Sequence, residues 1–410
     1  MLFANPRAVR CAYPQALQQM LNVQGARQSL HWLSQWSGLN HGATPLLDLP
    51  GLARDLGLGS IQLKDESQRS PLGSFKALGA PVALVRLILR LHARQSFNPI
   101  AVLAGHHAGQ LRGTTVICAT DGNHGRALAA AARSVGCACV IVLHAKVSVE
   151  REQAIAEYGA TIVRIAGNYD DSVAEARRLA AARQWHLVSD TSFDGDEQVP
   201  CDVMQGYGGI VAEIEAQCVA MPDQACPFTH VFLQGGVGGL AAGIASGFWQ
   251  VYGEHRPHFI VVEPEQADCL LQSARQGRAA STTGAVDSVM AGLACGDASP
   301  LAWRFLEPSV DLFMTVRDDD AVAAMRLLAA GSAQDQPVVS GESGAAGLAG
   351  LTALRTMPAQ AAACVLNAAS RVLLISTEGA TAPALYESLV GESADSVLRR
   401  QQQWIAAQVR

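Results

Sequence analysis

With 410 residues, 49% of them hydrophobic, the chain is long enough for two domains and a large buried core. A formal net charge of −6 and Lys/Arg clusters no longer than pairs such as Arg177-Arg178 and Arg399-Arg400 exclude a basic stripe for nucleic acid. The N-terminus lacks a basic region followed by an apolar signal core, and no uncharged stretch approaches the ~20 residues that span a bilayer, so a cytoplasmic location without a membrane partner is expected.

The first informative run is Lys64-Asp65-Glu66-Ser67 through Leu72-Gly73-Ser74-Phe75-Lys76-Ala77-Leu78-Gly79, which places Lys76 where an apolar helix begins. A lysine in that setting can lose its proton and form a Schiff base, although a solvated lysine on a helix end would look the same in isolation. In the segment that follows, Arg86, Arg90 and Arg94 recur at i, i+4 and i+8, which makes one polar stripe on an otherwise core-facing helix. His106-His107 resembles a metal pair, but neighbours i and i+1 point apart on a helix and cannot chelate together.

Thr114 to Ala119 reads as a buried strand and Gly125 to Arg133 as the helix after it. Between them lies Ala119-Thr120-Asp121-Gly122-Asn123-His124-Gly125, at the sheet edge where open α/β folds bind ligands. The first helical turn offers free N–H groups to an anion, and Thr120, Asn123 and His124 offer side-chain donors; an ordinary capping turn is the plainer alternative. Cys139 to Leu143, Thr161 to Ile165 and helices over Ser148 to Tyr158 and Tyr169 to Trp185 complete a βαβαβα block, and Gly159 fits a helix stop. The apolar setting of Cys137-Ala138-Cys139 argues for core rather than metal, and no metal site is expected among the ten cysteines.

Farther on, Val231-Phe232-Leu233, Phe259 to Val262 and Val372 to Ile375 read as parallel core strands. This alternation predicts an α/β protein with two doubly wound open-sheet domains, the smaller one 115–185 and the larger one 1–114 together with 186–410. The run Gln234-Gly235-Gly236-Val237-Gly238-Gly239-Leu240 opens an alanine- and glycine-rich helix, and such glycines let several N–H groups point at a phosphate. Gly236-x-Gly238-x-x-Ala241 with Glu263 also satisfies a loose dinucleotide fingerprint, but the loop comes too late in the chain for a first βαβ unit, so a phosphate cup without a dinucleotide fits better. Ser393 to Arg410 reads as a peripheral helix.

An amine for an aldehyde, a polar turn and a glycine cup, in that order, resemble the tryptophan-synthase-like (tryptophan synthase β-like, fold type II) family of pyridoxal-phosphate enzymes, and within it the diaminopropionate ammonia-lyases. The resemblance also rests on Thr44-Pro45-Leu46, Asp190-Thr191-Ser192-Phe193, Met204-Gln205-Gly206-Tyr207, Met290 to Gly296, Ser340-Gly341-Glu342-Ser343-Gly344 and Ser376-Thr377-Glu378-Gly379, spanning about residues 40 to 390.

The resemblance implies pyridoxal 5'-phosphate on Lys76, contacted by Asn123, by the cup Gly235, Gly236, Val237, Gly238 and Gly239, and by Ser376 or Thr377 at the ring nitrogen. Lys76 and Asp121 would be bases on opposite faces of the substrate's α-carbon. Thr120, Asp121, His124 and Asp190 would meet the substrate, Asp190 recognising its β-amine and His124 shaping the turn. The implied reaction is 2,3-diaminopropionate plus water to pyruvate plus two ammonia, in a homodimer. The alternatives are a serine, threonine or hydroxyaspartate dehydratase or a β-replacement enzyme of the same fold, and, in other classes, a nucleotide-binding oxidoreductase or a cofactor-free scaffold. Asp196, Asp202 and Ala380-Thr381-Ala382 depart from the family pattern, where aromatic residues stand at the first two places and acidic ones at the third.

Overall fold

The computed structural model describes residues 1–408 apart from 121, 194 and 219–224. Among these, eleven strands form two sheets: β1 Leu2–Ala4, β2 Leu46–Asp48, β3 Ser60–Asp65, β4 Thr115–Ala119, β5 Ala138–Leu143, β6 Thr161–Arg164, β7 His186–Leu187, β8 His230–Gln234, β9 His258–Pro264, β10 Leu312–Val316 and β11 Arg371–Ser376. The larger sheet runs β1-β10-β9-β8-β11-β3-β2, parallel except for its two edges. The smaller runs β6-β5-β4-β7, parallel throughout. The strand His186–Leu187 begins one residue beyond the expected end of the smaller unit, yet it pairs with β4.

Strands covered on both faces have no polar side to present, which is why β8 is buried at every position and its centre, Val231-Phe232-Leu233, reads as an unbroken apolar run. Alternation decides which core each residue joins. In β4, Val116 and Cys118 face the central core and Ile117 and Ala119 the outer one; in β5, Cys139, Ile141 and Leu143 divide from Val140 and Val142 in the same way. The central core is continuous from Ile141 in the smaller sheet to Val231 and Leu373 in the larger, so the two sheets share one apolar interior.

Helix Lys76–Leu91 crosses that interior. It packs on helix Asn123–Val135 of the smaller sheet and on helix Gln198–Tyr207. The second contact is closed by glycines. A Cβ on Gly206 would lie 2.2 Å from the Leu78 carbonyl oxygen, and one on Gly79 would lie 2.5 Å from the Tyr207 ring. The arginine stripe has a partner in the same helix pair, since Arg86 and Arg90 reach the buried Asp202 at 3.2 and 2.6 Å. Asp202, one of the departures from the family pattern, therefore fastens this helix and does not line the cavity described below. Among the described residues no helix is long and apolar enough to cross a membrane.

The chain leading to Lys76 is anchored by a buried charge cluster. Lys64 Nζ donates to Glu213 Oε2, to the Thr44 carbonyl and to Gln217 Oε1, each at 2.8 Å. The Arg69 guanidinium holds both Glu66 (2.7 and 2.8 Å) and Glu213 (2.5 and 2.7 Å), while Thr44 Oγ1 donates to Glu66 at 2.7 Å. Burial pulls the Lys64 ammonium below its ordinary pKa, against the carboxylates of Glu213 and Glu66. Two cations and two carboxylates cancel, so removal of one leaves an uncompensated charge in the interior. Glu213→Ala is expected to lower the unfolding free energy by about 3–5 kcal/mol in urea titration, and a loss below about 1 kcal/mol would mean that the cluster contributes no more than surface pairs do.

Candidate active site

The C-terminal ends of β4, β8 and β11 open on one cavity with about 820 Å³ of atom-free space. Parallel strands end there in helix N-termini and glycine turns, so backbone donors converge on it from several elements. Lys76 lies in its wall as the first residue of its helix, delivered by the buried cluster and by the Phe75 N–H bond to the Thr377 carbonyl (3.0 Å).

Lys76 Nζ lies 2.5 Å from Asp190 Oδ2, which follows β7, so one ion pair joins the two sheets. The amine also sits 5.0 Å from the Phe75 ring centroid and 5.7 Å from that of Tyr207. Burial disfavours the ammonium, but the Asp190 carboxylate outweighs it and holds Lys76 above its ordinary pKa. The expectation of an amine ready to lose its proton thus applies only when Asp190 is turned to another partner. Burial disfavours the Asp190 carboxylate, but the Lys76 ammonium outweighs it and Asp190 is pushed down to about 2.

His124 Nε2 donates to the Val188 carbonyl at 2.8 Å, since a carbonyl only accepts, and burial holds the ring below its ordinary pKa. Its Nδ1 faces Asp190 at 3.9 Å. Thr120 Oγ1 accepts from Gly122 N–H (3.0 Å) and Gly125 N–H (3.1 Å), so two of the turn's donors are used internally and are not free for an anion. Asn123 and Thr120 both line the cavity, as do Gly122 and His124. Asp121 lies outside the described residues, between two residues of the cavity wall.

Gly235, Gly236, Val237 and Gly239 line the opposite side. Gly236 has φ 65° and Gly238 φ 98°, values that L side chains rarely adopt. Gly238, at the N-cap of the helix that follows, is not itself among the residues lining the cavity. Its Cα faces Leu306 and Ala302, where a Cβ would lie 2.9 and 3.1 Å away, so this glycine serves close packing behind the turn. Helix Gly239–Tyr252 has no side-chain cap at its N-terminus, which leaves an anion-binding helix end beside the cavity. Glu263, the acid of the rejected dinucleotide fingerprint, is buried and accepts from Leu270 and Leu271 N–H at 2.9 and 2.8 Å; its desolvated carboxyl is pushed up to about 8. It caps a helix and meets no ribose. The amine, the uncapped helix end and the glycine wall in one cavity fit a group that carries both an aldehyde and a phosphate.

Of the two hydroxyls expected at the ring, Thr377 lines the cavity, whereas Ser376 Oγ lies 2.8 Å from Ser340 Oγ and is fully buried. The sequence reading assigned no role to several other wall residues. Tyr207, Ser343, Cys295 and Glu378 stood inside recognised motifs, so their motif membership was the available signal. Arg151 and Tyr169 gave none, because their role depends on contacts made across the cavity: Arg151 Nη2 reaches Glu342 Oε1 at 2.5 Å. Glu342 is pushed up to about 7 by burial and by the neighbouring Glu378. Asp196 is engaged in a bridge with Phe193 away from the cavity.

Residues 38–378 match the family described as pyridoxal-phosphate dependent enzyme. The diaminopropionate ammonia-lyase of Salmonella typhimurium is 38% identical over 359 residues, 86% of this chain and 88% of the relative. That of Escherichia coli K12 is 36% identical over the same shares. The crystal structure of the Escherichia coli diaminopropionate ammonia-lyase in complex with an aminoacrylate–PLP azomethine reaction intermediate is similar with a TM-score of 0.84 at 32% identity, covering 95% of this chain and 96% of that one.

The Lys76–Asp190 pair sets a pH window. Asp190, depressed from 3.8 to about 2, adds stability that is complete above pH ~4 and fades as pH falls towards 2. Lys76, raised above 10.5, adds stability that is complete below that value and fades only at higher pH. In the cofactor-free protein, Asp190→Asn should flatten the acid loss between pH 4 and 2 and speed acylation of Lys76 at pH 8 roughly tenfold by mass spectrometry. Unchanged acylation would show that Asp190 does not control the amine.

Proposed function

Because this chain belongs to the pyridoxal-phosphate-dependent enzymes and, among them, to the diaminopropionate ammonia-lyases, we propose that its cavity carries out α,β-elimination of 2,3-diaminopropionate to pyruvate and two ammonia. The observation that carries this reading is the Lys76–Asp190 pair facing an uncapped, glycine-lined helix end. Bound pyridoxal phosphate supplies an aldehyde that captures amino groups and a ring that takes up the charge left by a departing α-proton.

In this reading Lys76 holds the cofactor, the N–H groups of the Gly235–Gly239 turn hold its phosphate, and Asn123 and Thr377 meet its ring. Thr377 presents a neutral hydroxyl, which does not enforce a ring proton and so favours loss of a β-substituent over transamination. Once the Lys76 nitrogen is committed to the cofactor, Asp190 has lost its ammonium. A β-ammonium on the substrate offers Asp190 the same charge and the same donors. When Lys76 is released by substrate, its neutral amine accepts the α-proton at Nζ. Asp121, flanked by two cavity residues, accepts it on the other face. His124, neutral and tied to Val188, orients the turn and moves no proton.

The division into a smaller unit, 115–185, and a larger one of 1–114 and 186–410 belongs to the same proposal, as do a homodimeric assembly and a cytoplasmic location. The central test supplies D- and L-2,3-diaminopropionate beside L-serine and L-threonine and scores pyruvate or other keto acid against ammonia. Two ammonia per pyruvate from the diamine are expected; one per keto acid from a hydroxy amino acid, with silence on the diamine, would make the chain a dehydratase. Lys76→Ala should abolish the substrate-dependent absorbance change of the cofactor. Asp121→Asn should slow the D isomer more than the L, about 10²-fold or more, and equal loss on both removes its role as a face-specific base.

A further inference from the structure

Glu378 stands at the end of β11 in the cavity wall, 2% exposed. It accepts from Asn123 Nδ2 through a short hydrogen bond, from Ser343 N–H at 3.3 Å and from Thr381 Oγ1 at 3.2 Å. Cationic side chains on this wall are engaged elsewhere, Lys76 by Asp190 and Arg151 by Glu342. Three neutral donors therefore converge on Glu378. Two glycines pack closely on it: a Cβ on Gly341 would lie 3.0 Å from Glu378 Cγ, and one on Gly344 would lie 2.7 Å from its carbonyl oxygen.

An asparagine amide has two ends that differ little in shape, and its orientation is set by what faces it. Glu378 Oε2 takes the hydrogen bond of Asn123 Nδ2, so Glu378 turns the NH₂ end of Asn123 inward. One N–H is then spent on Glu378, and the other, held at a fixed angle to it, remains to face the cavity. We propose that Glu378 is a positioning residue that fixes the Asn123 amide as a hydrogen-bond donor toward an oxygen of the bound cofactor. The proposal rests on the reading of this cavity as the cofactor site and not on which amino acid is the substrate. Thr381, which stands among the departures from the family pattern, serves here as the third donor that steadies Glu378.

Glu378→Gln removes the compulsion at almost constant shape, because a glutamine NH₂ can donate to the carbonyl end of Asn123 and let the amide turn over. The equilibrium dissociation constant of pyridoxal phosphate, measured by fluorescence titration of the cofactor-free protein, should rise roughly tenfold or more for Glu378→Gln and for Asn123→Ala, with a change in the visible spectrum of the bound cofactor. The Glu378→Gln/Asn123→Ala double variant should be no worse than Asn123→Ala alone, since the first residue acts through the second. Multiplying losses in the double variant, or an unchanged constant and spectrum in Glu378→Gln, would overturn the assignment. If Glu378→Gln does not fold, Asn123→Asp carries the test. Two facing carboxyl groups should weaken binding more than Asn123→Ala does, because neither oxygen set offers the donor that Glu378 accepts; a loss no greater than that of Asn123→Ala refutes the proposal. A wild-type protein that binds no pyridoxal phosphate would instead refute the cofactor site itself.

Discussion

The contact on which the site depends is the 2.5 Å ion pair between Lys76 and Asp190. A buried ammonium and a buried carboxylate are each costly alone, and only their pairing across the two sheets lets both exist in one cavity. The pair also fixes chemistry. While Asp190 faces the amine, Lys76 is a cation and a poor nucleophile; a reactive amine requires that the carboxylate find another partner. In the proposed function, one carboxylate serves first the resident amine and then an arriving one.

The same rule, buried charge neutralised by a distant element, recurs around the cavity. Lys64 and Arg69 are balanced by Glu66 and Glu213, Asp202 by Arg86 and Arg90, and Glu342 by Arg151. Each joins segments far apart in the chain, so the set acts as a frame: one cluster holds the approach to Lys76, another holds the later turns of its helix, and a third ties the smaller sheet to the wall beside Glu378. Because such pairs contribute little net stability against apolar replacements, their value lies in fixing geometry.

The strands, the helices and the glycine turn were legible because they depend on local pattern. Val231-Phe232-Leu233 is apolar at every position since both its faces are covered, and β4 alternates between two cores. Lys76, Asn123 and Thr377 were legible as parts of motifs that a familiar cofactor chemistry demands. What escaped was set by contacts between residues remote in sequence. Nothing near Lys64 names Glu213 as its partner 149 residues on, nothing near Arg151 names Glu342, and Ser376 and Thr377 are indistinguishable until the strand end shows which hydroxyl turns outward. The sequence marks Asp202 only as a departure from the family pattern, and its role in fastening the Lys76 helix is hidden for the same reason.

The helix that begins at Lys76 is held differently on its two sides. Toward Gln198–Tyr207 it is keyed by Gly79 and Gly206, whose backbones touch the neighbour directly, so neither helix can slip by a fraction of an ångström without collision. Toward Asn123–Val135 it meets a helix rich in alanine, with Ala127 and Ala129 through Ala132 buried in the shared core. Such a surface has low relief, and shear along it disturbs few interlocked side chains. The molecule thus has a stiff seam and a compliant one on either flank of a single helix. A displacement between the sheets would therefore meet less interlocking on the alanine side than on the glycine-keyed side, where the amine stands 5.7 Å from the Tyr207 ring centroid.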